Sequence, residues 1–159
     1  MSAPELPSVA EIVPHAGEMI LLERVVSHVE DETVCSARIG DDALLRTASG
    51  DVPAWMGLEY MAQCIAAHAG LVGRASGEPP RVGFLLGTRR VTFHAPCYRR
   101  GQRLTVRAHR LWGGPRGMVA FDCGIADADT GAVLAEGRLN CFMPGDDDAG
   151  EEGACTGSS

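Results

Sequence analysis

Glu59 is the one carboxylate in the run VPAWMGLEYMAQCIAAHAGL at 52–71, and Gln63 follows it one helical turn later on the same face. Desolvation among apolar neighbours favours the neutral form of a carboxyl, which suits a general acid or proton shuttle. A basic partner must come from elsewhere in the chain. His15, in the turn PHAGEM at 14–19, is the candidate, because imidazole exchanges a proton near neutral pH. The backbone N–H of Ala54, at the start of the helix, is placed to hold a carbonyl oxygen. Each residue has a plainer reading as well. Glu59 can be an exposed acid favoured by the helix dipole, His15 can simply fix its turn, and Gln63 can satisfy backbone groups instead of orienting Glu59. His68 falls about half a helical revolution away from Glu59, so packing or surface exposure is expected of it. His94 reads as a surface or partner contact; His28 and His109 carry no signal.

The element that positions Glu59 is a helix over 52–71. Pro53 suits a first turn, Ser49 or Asp51 can cap it, and Gly70 can close it in a left-handed conformation. Apolar residues on every side predict that other structure wraps this helix. Upstream, a turn of helix at 8–12 precedes strands at 19–29 and 33–39, joined as a hairpin. The segment 40–50 is a loop. Downstream, strand-like runs at 82–95, 103–111, 118–126 and 133–141 are separated by turns at 96–101, 112–117 and 127–131, the last carrying DADTG. Two strands, one long helix and four consecutive antiparallel strands define an α+β domain: one helix packed by one strongly curved sheet.

Composition narrows the function. With 159 residues, 45% apolar and 22% charged, the chain fits a single domain, expected over 1–144. The acidic, glycine-rich stretch 145–159 reads as a disordered tail. The N-terminal residues lack a basic region and a long apolar run, and no stretch nears the roughly 20 apolar residues of a membrane span. A cytoplasmic protein without a membrane span is expected. The six cysteines are widely spaced with no CxxC pair, so neither a metal site nor a redox motif is indicated. The net charge of −7 hides an asymmetry: 79–120 holds nine arginines and no Asp or Glu. Nucleic acid is not the expected partner, since the pI is about 5.1, only Tyr98 and Trp112 offer stacking groups nearby, and no nucleic-acid motif is present.

A helix held inside a curled antiparallel sheet is the hotdog fold, and three blocks carry a more specific likeness: PHAGEMILLERV at 14–25, VPAWMGLEYMAQ at 52–63 and VTFHAPCYRRGQRLTV at 91–106. The chain resembles the 3-hydroxyacyl-acyl carrier protein dehydratases, and within them the variant associated with aryl-polyene pigment biosynthesis. The likeness extends over roughly 12–142. The first two blocks are specific; the third is a general hotdog pattern. The resemblance implies removal of water from a 3-hydroxyacyl thioester to give the trans-2-enoyl form, with no metal or redox cofactor and the substrate carried on the phosphopantetheine of an acyl carrier protein. Such a reaction needs a base for the C2 proton, an acid for the leaving hydroxyl and donors for the thioester oxygen. His15 is then the base, Glu59 the acid, Ala54 the oxyanion donor, where the family commonly has Gly, and Gln63 a support.

The chain departs from the common dehydratase pattern at Leu45, where that pattern carries its catalytic histidine. Either His15 takes over, as the aryl-polyene variant implies, or this subunit is inactive. The resemblance also implies a homodimer, or a heterodimer with a second hotdog subunit, with the histidine and the acid of one site commonly supplied by different protomers. A basic rim suits an acidic carrier protein, and Arg89, Arg90, Arg99, Arg100 and Arg103 are the candidate docking residues. The rival readings are a hotdog acyl thioesterase and a non-catalytic hotdog partner subunit.

Overall fold

The computed structural model describes residues 5–145, so the tail expected at 145–159 lies outside them except for Gly145. In chain order the elements are α1 (Val9–Ile12), β1 (Leu22–Val29), β2 (Glu32–Arg38), β3 (Val52–Pro53), α2 (Gly57–Ala75), β4 (Phe84–Phe93), β5 (Cys97–Tyr98), β6 (Arg103–Trp112), β7 (Gly117–Asp127) and β8 (Val133–Met143). Six strands form one antiparallel sheet in the order β1-β2-β6-β7-β8-β4, and β3 pairs with β5 in a separate two-stranded patch. Helix α2 packs against β1, β2, β6 and β7. This is the α+β hotdog arrangement.

Alternation sets which face of the sheet meets the helix. Along β2, Thr33, Cys35 and Ala37 are buried while Val34, Ser36 and Arg38 are not, and Leu104, Val106 and Ala108 repeat the pattern on β6. The five cysteines among the described residues are free, and Cys35, Cys64, Cys123 and Cys141 are buried. They fill the core as small apolar side chains.

Two expectations need correction. The last four long strands are antiparallel as expected but not in sequence order: β4 pairs with β8, at the far edge, and leaves its other side open. The two-residue β5 interrupts the run because Cys97 and Tyr98 pair with Pro53 and Val52 instead of extending the sheet.

The helix boundaries also move. Pro53 is extended and belongs to β3, residues 54–56 form a 3-10 turn, and α2 runs on to Ala75. Asp51 does not cap it; its Oδ1 accepts the Arg100 N–H at 2.9 Å. Gly70 does not end it either. The helix closes at Gly77, with φ of +75°, where Gly77 N–H bonds Arg74 O and Glu78 N–H bonds Gly73 O. Gly70 has a packing reason: a Cβ there would stand 1.9 Å from the carbonyl oxygen of Ile12. The missing side chain lets α1 lie directly against α2.

The wrapping of α2 is incomplete. Tyr60, Met61, Cys64, Ala67 and His68 are buried, but Leu58, Glu59, Ala62, Ala66 and Ala69 are only partly so. At steps of three and four residues these form a stripe on one helix face. That stripe faces the open side of the fold, toward β4 and the residues just before it.

Candidate active site

Docking of α1 delivers the histidine. The Glu11 carboxylate accepts both the Ser8 N–H at 2.7 Å and the Ser8 hydroxyl at 2.9 Å, closing the start of a single helical turn. Val9, Ile12 and Val13 are buried, with Ile12 seated on Gly70. The chain leaves α1 at Val13 in an extended conformation, and His15 follows. Its Nε2 comes to 3.4 Å from Glu59 Oε1, with 25% of the histidine side chain and 39% of the glutamate side chain exposed. That is ion-pair range but longer than a strong hydrogen bond. His15 Nδ1 is buried and has no hydrogen-bond partner among the described residues.

Gln63 ties the two halves together. It is fully buried, its Nε2 donates to Glu59 Oε1 at 3.0 Å and to Met19 O at 2.6 Å, and its Oε1 accepts the Leu21 N–H at 2.8 Å. Two donors and one acceptor are all matched, which fixes the orientation of the amide. The residue thus bonds both the backbone entering β1 and the Glu59 carboxyl.

A pocket of about 280 Å³ opens beside the pair. Its helix wall is the stripe Leu58, Ala62, Ala66 and Ala69, and Phe84 and Leu85 of β4 face it. An apolar channel with one histidine and one carboxyl at its end suits a hydrocarbon chain whose reacting carbons meet the polar pair.

Several expected features differ. Glu59 is wetter in the single chain than its sequence neighbours suggest, because Leu58, Ala62 and Ala66 line an open pocket instead of a closed core. The Ala54 N–H is not free: it donates to Pro96 O at 3.1 Å, extending the β3–β5 pairing. The histidine and the acid meet within one chain, where the resemblance commonly has them supplied by different protomers. Leu45, standing where the common pattern has histidine, is exposed and sits in a left-handed turn with φ of +59°.

The arginine-rich segment is largely neutralised by acids from other parts of the chain. Arg100 Nε lies 2.5 Å from Asp41 Oδ1, Arg103 pairs with Asp129, Arg107 with Glu32 at 2.9 Å and Arg110 with Asp31. Arg89, Arg90 and Arg99 have no ion pair among the described residues. None of the five docking candidates lines the His15–Glu59 pocket; Arg81 does. The position of Arg81 just before β4 is the sequence signal that could have singled it out. Tyr98 is 1% exposed beneath the start of α2, where a Cβ on Gly57 would meet its hydroxyl at 2.2 Å, so it offers no stacking surface. His94 lies on the surface, 3.2 Å from Glu136. His68 is buried, so of the two expected roles, packing and surface exposure, packing is the one observed. No cluster of three or more His, Cys, Asp or Glu among the described residues is arranged to hold a metal ion, and no described helix is long and apolar enough to cross a membrane.

The fold defines a hotdog protein, with a histidine and a carboxyl paired beside an apolar channel. The chain belongs to the ApeP-like dehydratase family, whose model matches residues 7–151. Among solved structures it is similar to a chain of the dehydratase heterocomplex ApeI:P from Xenorhabdus doucetiae, with 28% identity, a TM-score of 0.83 and coverage of 91% of this chain and 96% of that one. The zebra fish thioesterase superfamily member 2 shares 15% identity at a TM-score of 0.59, covering 76% of this chain and 80% of that one. The PaaI protein of E. coli shares 13% at 0.58, covering 75% and 81%. These last two share the fold alone. A comparison with curated proteins found no match.

Proposed function

We propose that the chain is a catalytic dehydratase subunit that converts a 3-hydroxyacyl thioester, carried on an acyl carrier protein in the cytoplasm, to the trans-2-enoyl thioester. The observation that carries this is the 3.4 Å approach of His15 Nε2 to Glu59 Oε1 at the end of the apolar pocket. Neutral His15 takes the C2 proton on Nε2, and the electrons of that C–H bond form the C2–C3 double bond. Glu59, protonated at the start, gives its proton to the departing C3 hydroxyl, which leaves as water. The pair then holds one proton on the wrong partner. Transfer from His15 to Glu59 across their short separation restores it, and Gln63 keeps the carboxyl facing the ring throughout.

The partner reading has its own support. Strand β4 is a ten-residue edge with an unpaired side, and Val82, Phe84, Leu85 and Leu86 near its start are exposed. Long apolar edges are covered in stable proteins, and a second hotdog subunit, as in the heterocomplex that the similar chain forms, would cover this one and dry the pocket around Glu59.

The test is incubation with a 3-hydroxyacyl carrier protein, followed by weighing the carrier. Loss of one water from the bound chain supports dehydration. Release of the free carrier indicates a thioesterase instead, and no change with the partner present indicates a non-catalytic subunit.

A further inference from the structure

A second, smaller cavity of about 50 Å³ adjoins the far end of the pocket, lined by His68, Val72, Arg110, Pro115 and Phe121. Ala69, Arg81 and Met143 line both spaces, which places the two cavities side by side. A water needs roughly 10–15 Å³ measured in this way, so the cavity has room for the end of a chain, though not for a whole ligand.

One polar atom there lacks a partner. His68 is 2% exposed, its ring packs edge-on against Phe121, and its Nδ1 lies 2.8 Å from the Thr33 hydroxyl. Thr33 Oγ1 is in turn 2.8 Å from His28 Nδ1. His68 Nε2 is buried and has no hydrogen-bond partner among the described residues. The charge nearby is already matched, because Arg110 donates to Asp31. Burial pushes the His68 imidazole down to about 4, which keeps it neutral.

The Thr33 hydroxyl has a single proton, and this decides what Nε2 can accept. If Thr33 donates to His28, His68 donates from Nδ1 and its Nε2 is a bare acceptor. If Thr33 donates to His68, Nε2 carries the proton and is a donor. A hydroxyl, which both gives and accepts, satisfies either state; a carbonyl or ether satisfies only the second, and a methyl neither.

We propose that this cavity is the far end of the acyl channel and that His68 Nε2 binds a hydroxyl at the distal end of the substrate chain. The inference rests on the reading of the pocket as an acyl site. His68 lies nine residues beyond Glu59, a rise of about 13 Å along the helix. With an extended chain advancing roughly 1.2 Å per bond, the hydroxyl belongs about ten or more bonds from the reacting carbons.

The experiment uses unreactive pantetheine amides of saturated acids, titrated by calorimetry into the full chain with its partner subunit. Two long amides differ only in ending with a hydroxyl or a methyl, and a short one ends before Ala69. The expected result is about tenfold tighter binding of the hydroxyl-ended amide, the loss expected for one missing buried hydrogen bond. His68→Phe should erase the preference and leave the short amide unaffected. Ala69→Leu, at a partly buried position that lines both cavities, should erase it by closing the passage. Equal affinities in the wild type, or a preference that survives either substitution, would overturn the inference. Binding of the short amide without discrimination between the long ones sinks this inference alone; no binding of any amide sinks the acyl-pocket reading with it.

Discussion

His15 Nε2 and Glu59 Oε1 stand 3.4 Å apart within a single chain, brought together by the seating of Ile12 on Gly70. His15→Ala and Glu59→Gln should each lower the dehydration rate by about 10²–10⁴-fold, the usual range for a lost general acid or base. The double variant should be little worse than either single one, because the two groups act on one proton cycle. Mixing His15→Ala chains with Glu59→Gln chains should restore nothing, since no pairing of the two recreates an intact pair in one chain. Recovery of activity in the mixture would place the site across protomers.

Gln63→Leu removes three hydrogen bonds and strands the Leu21 N–H and the Met19 carbonyl. A fully buried group left unmatched costs about 1–3 kcal/mol and a part-buried one less, so with both groups part-buried urea unfolding should show a loss of about 1–3 kcal/mol. At a temperature where the variant is still folded, turnover should fall as well, because Glu59 loses the amide that orients it. Unchanged turnover in the folded variant would reduce Gln63 to a structural tie.

Two glycines of the same helix region should respond differently to alanine. In a helix interior Gly→Ala ordinarily gains up to about 1 kcal/mol, yet at Gly70 the new Cβ would meet Ile12 O at 1.9 Å. Overpacking against backbone costs about 1–3 kcal/mol, so thermal unfolding should show a net loss, with activity falling further because α1 carries His15. Gly77 has open space but a φ of +75°, so Gly77→Ala should cost about 1–2 kcal/mol of backbone strain and leave activity alone.

His68 sets a pH dependence of stability. Its imidazole is pushed down to about 4 first by burial, then by His28 and Arg110, with Asp31 opposing and His109 adding a smaller push down. The unfolded chain binds a proton near 6.5, while the folded one resists until about 4. Stability is therefore fully present above the unfolded value and is lost as pH falls from about 6.5 to 4, by about 3 kcal/mol. His68→Phe should flatten denaturation midpoints over that window. A wild-type profile that is already flat there would contradict the burial of a neutral ring.

The open edge of β4 predicts assembly. Leu86 is 55% exposed and does not line the His15–Glu59 pocket. Leu86→Arg should leave the chain folded, as judged by circular dichroism, but abolish association with a second hotdog subunit in light scattering. Retained association would move the interface elsewhere.

Legibility in the sequence followed the range of each interaction. The hairpin β1–β2, the later strands and the DADTG turn were readable because alternation and turn chemistry are local. At that turn Asp127 accepts the N–H groups of Asp129 and Thr130. The start of α2 was misplaced because Pro53 fits a first helical turn as well as an extended strand, and only pairing with Cys97 chose between them. Gly70 reads as a helix end by its type, whereas its actual reason lies in α1.

The sequence by itself determined the residue types and the face they share: a carboxyl and an amide one turn apart on a long helix, a histidine in a turn before the first strand, and a sheet with one apolar side. Those follow from periodicity. Only the tertiary structure decided that His15 reaches Glu59 in its own chain, that the Ala54 amide is taken by Pro96, and that most of the basic segment is matched by distant acids. Contacts between residues far apart in sequence depend on how α1 docks and how β4 crosses to the edge, and no local pattern encodes a docking distance.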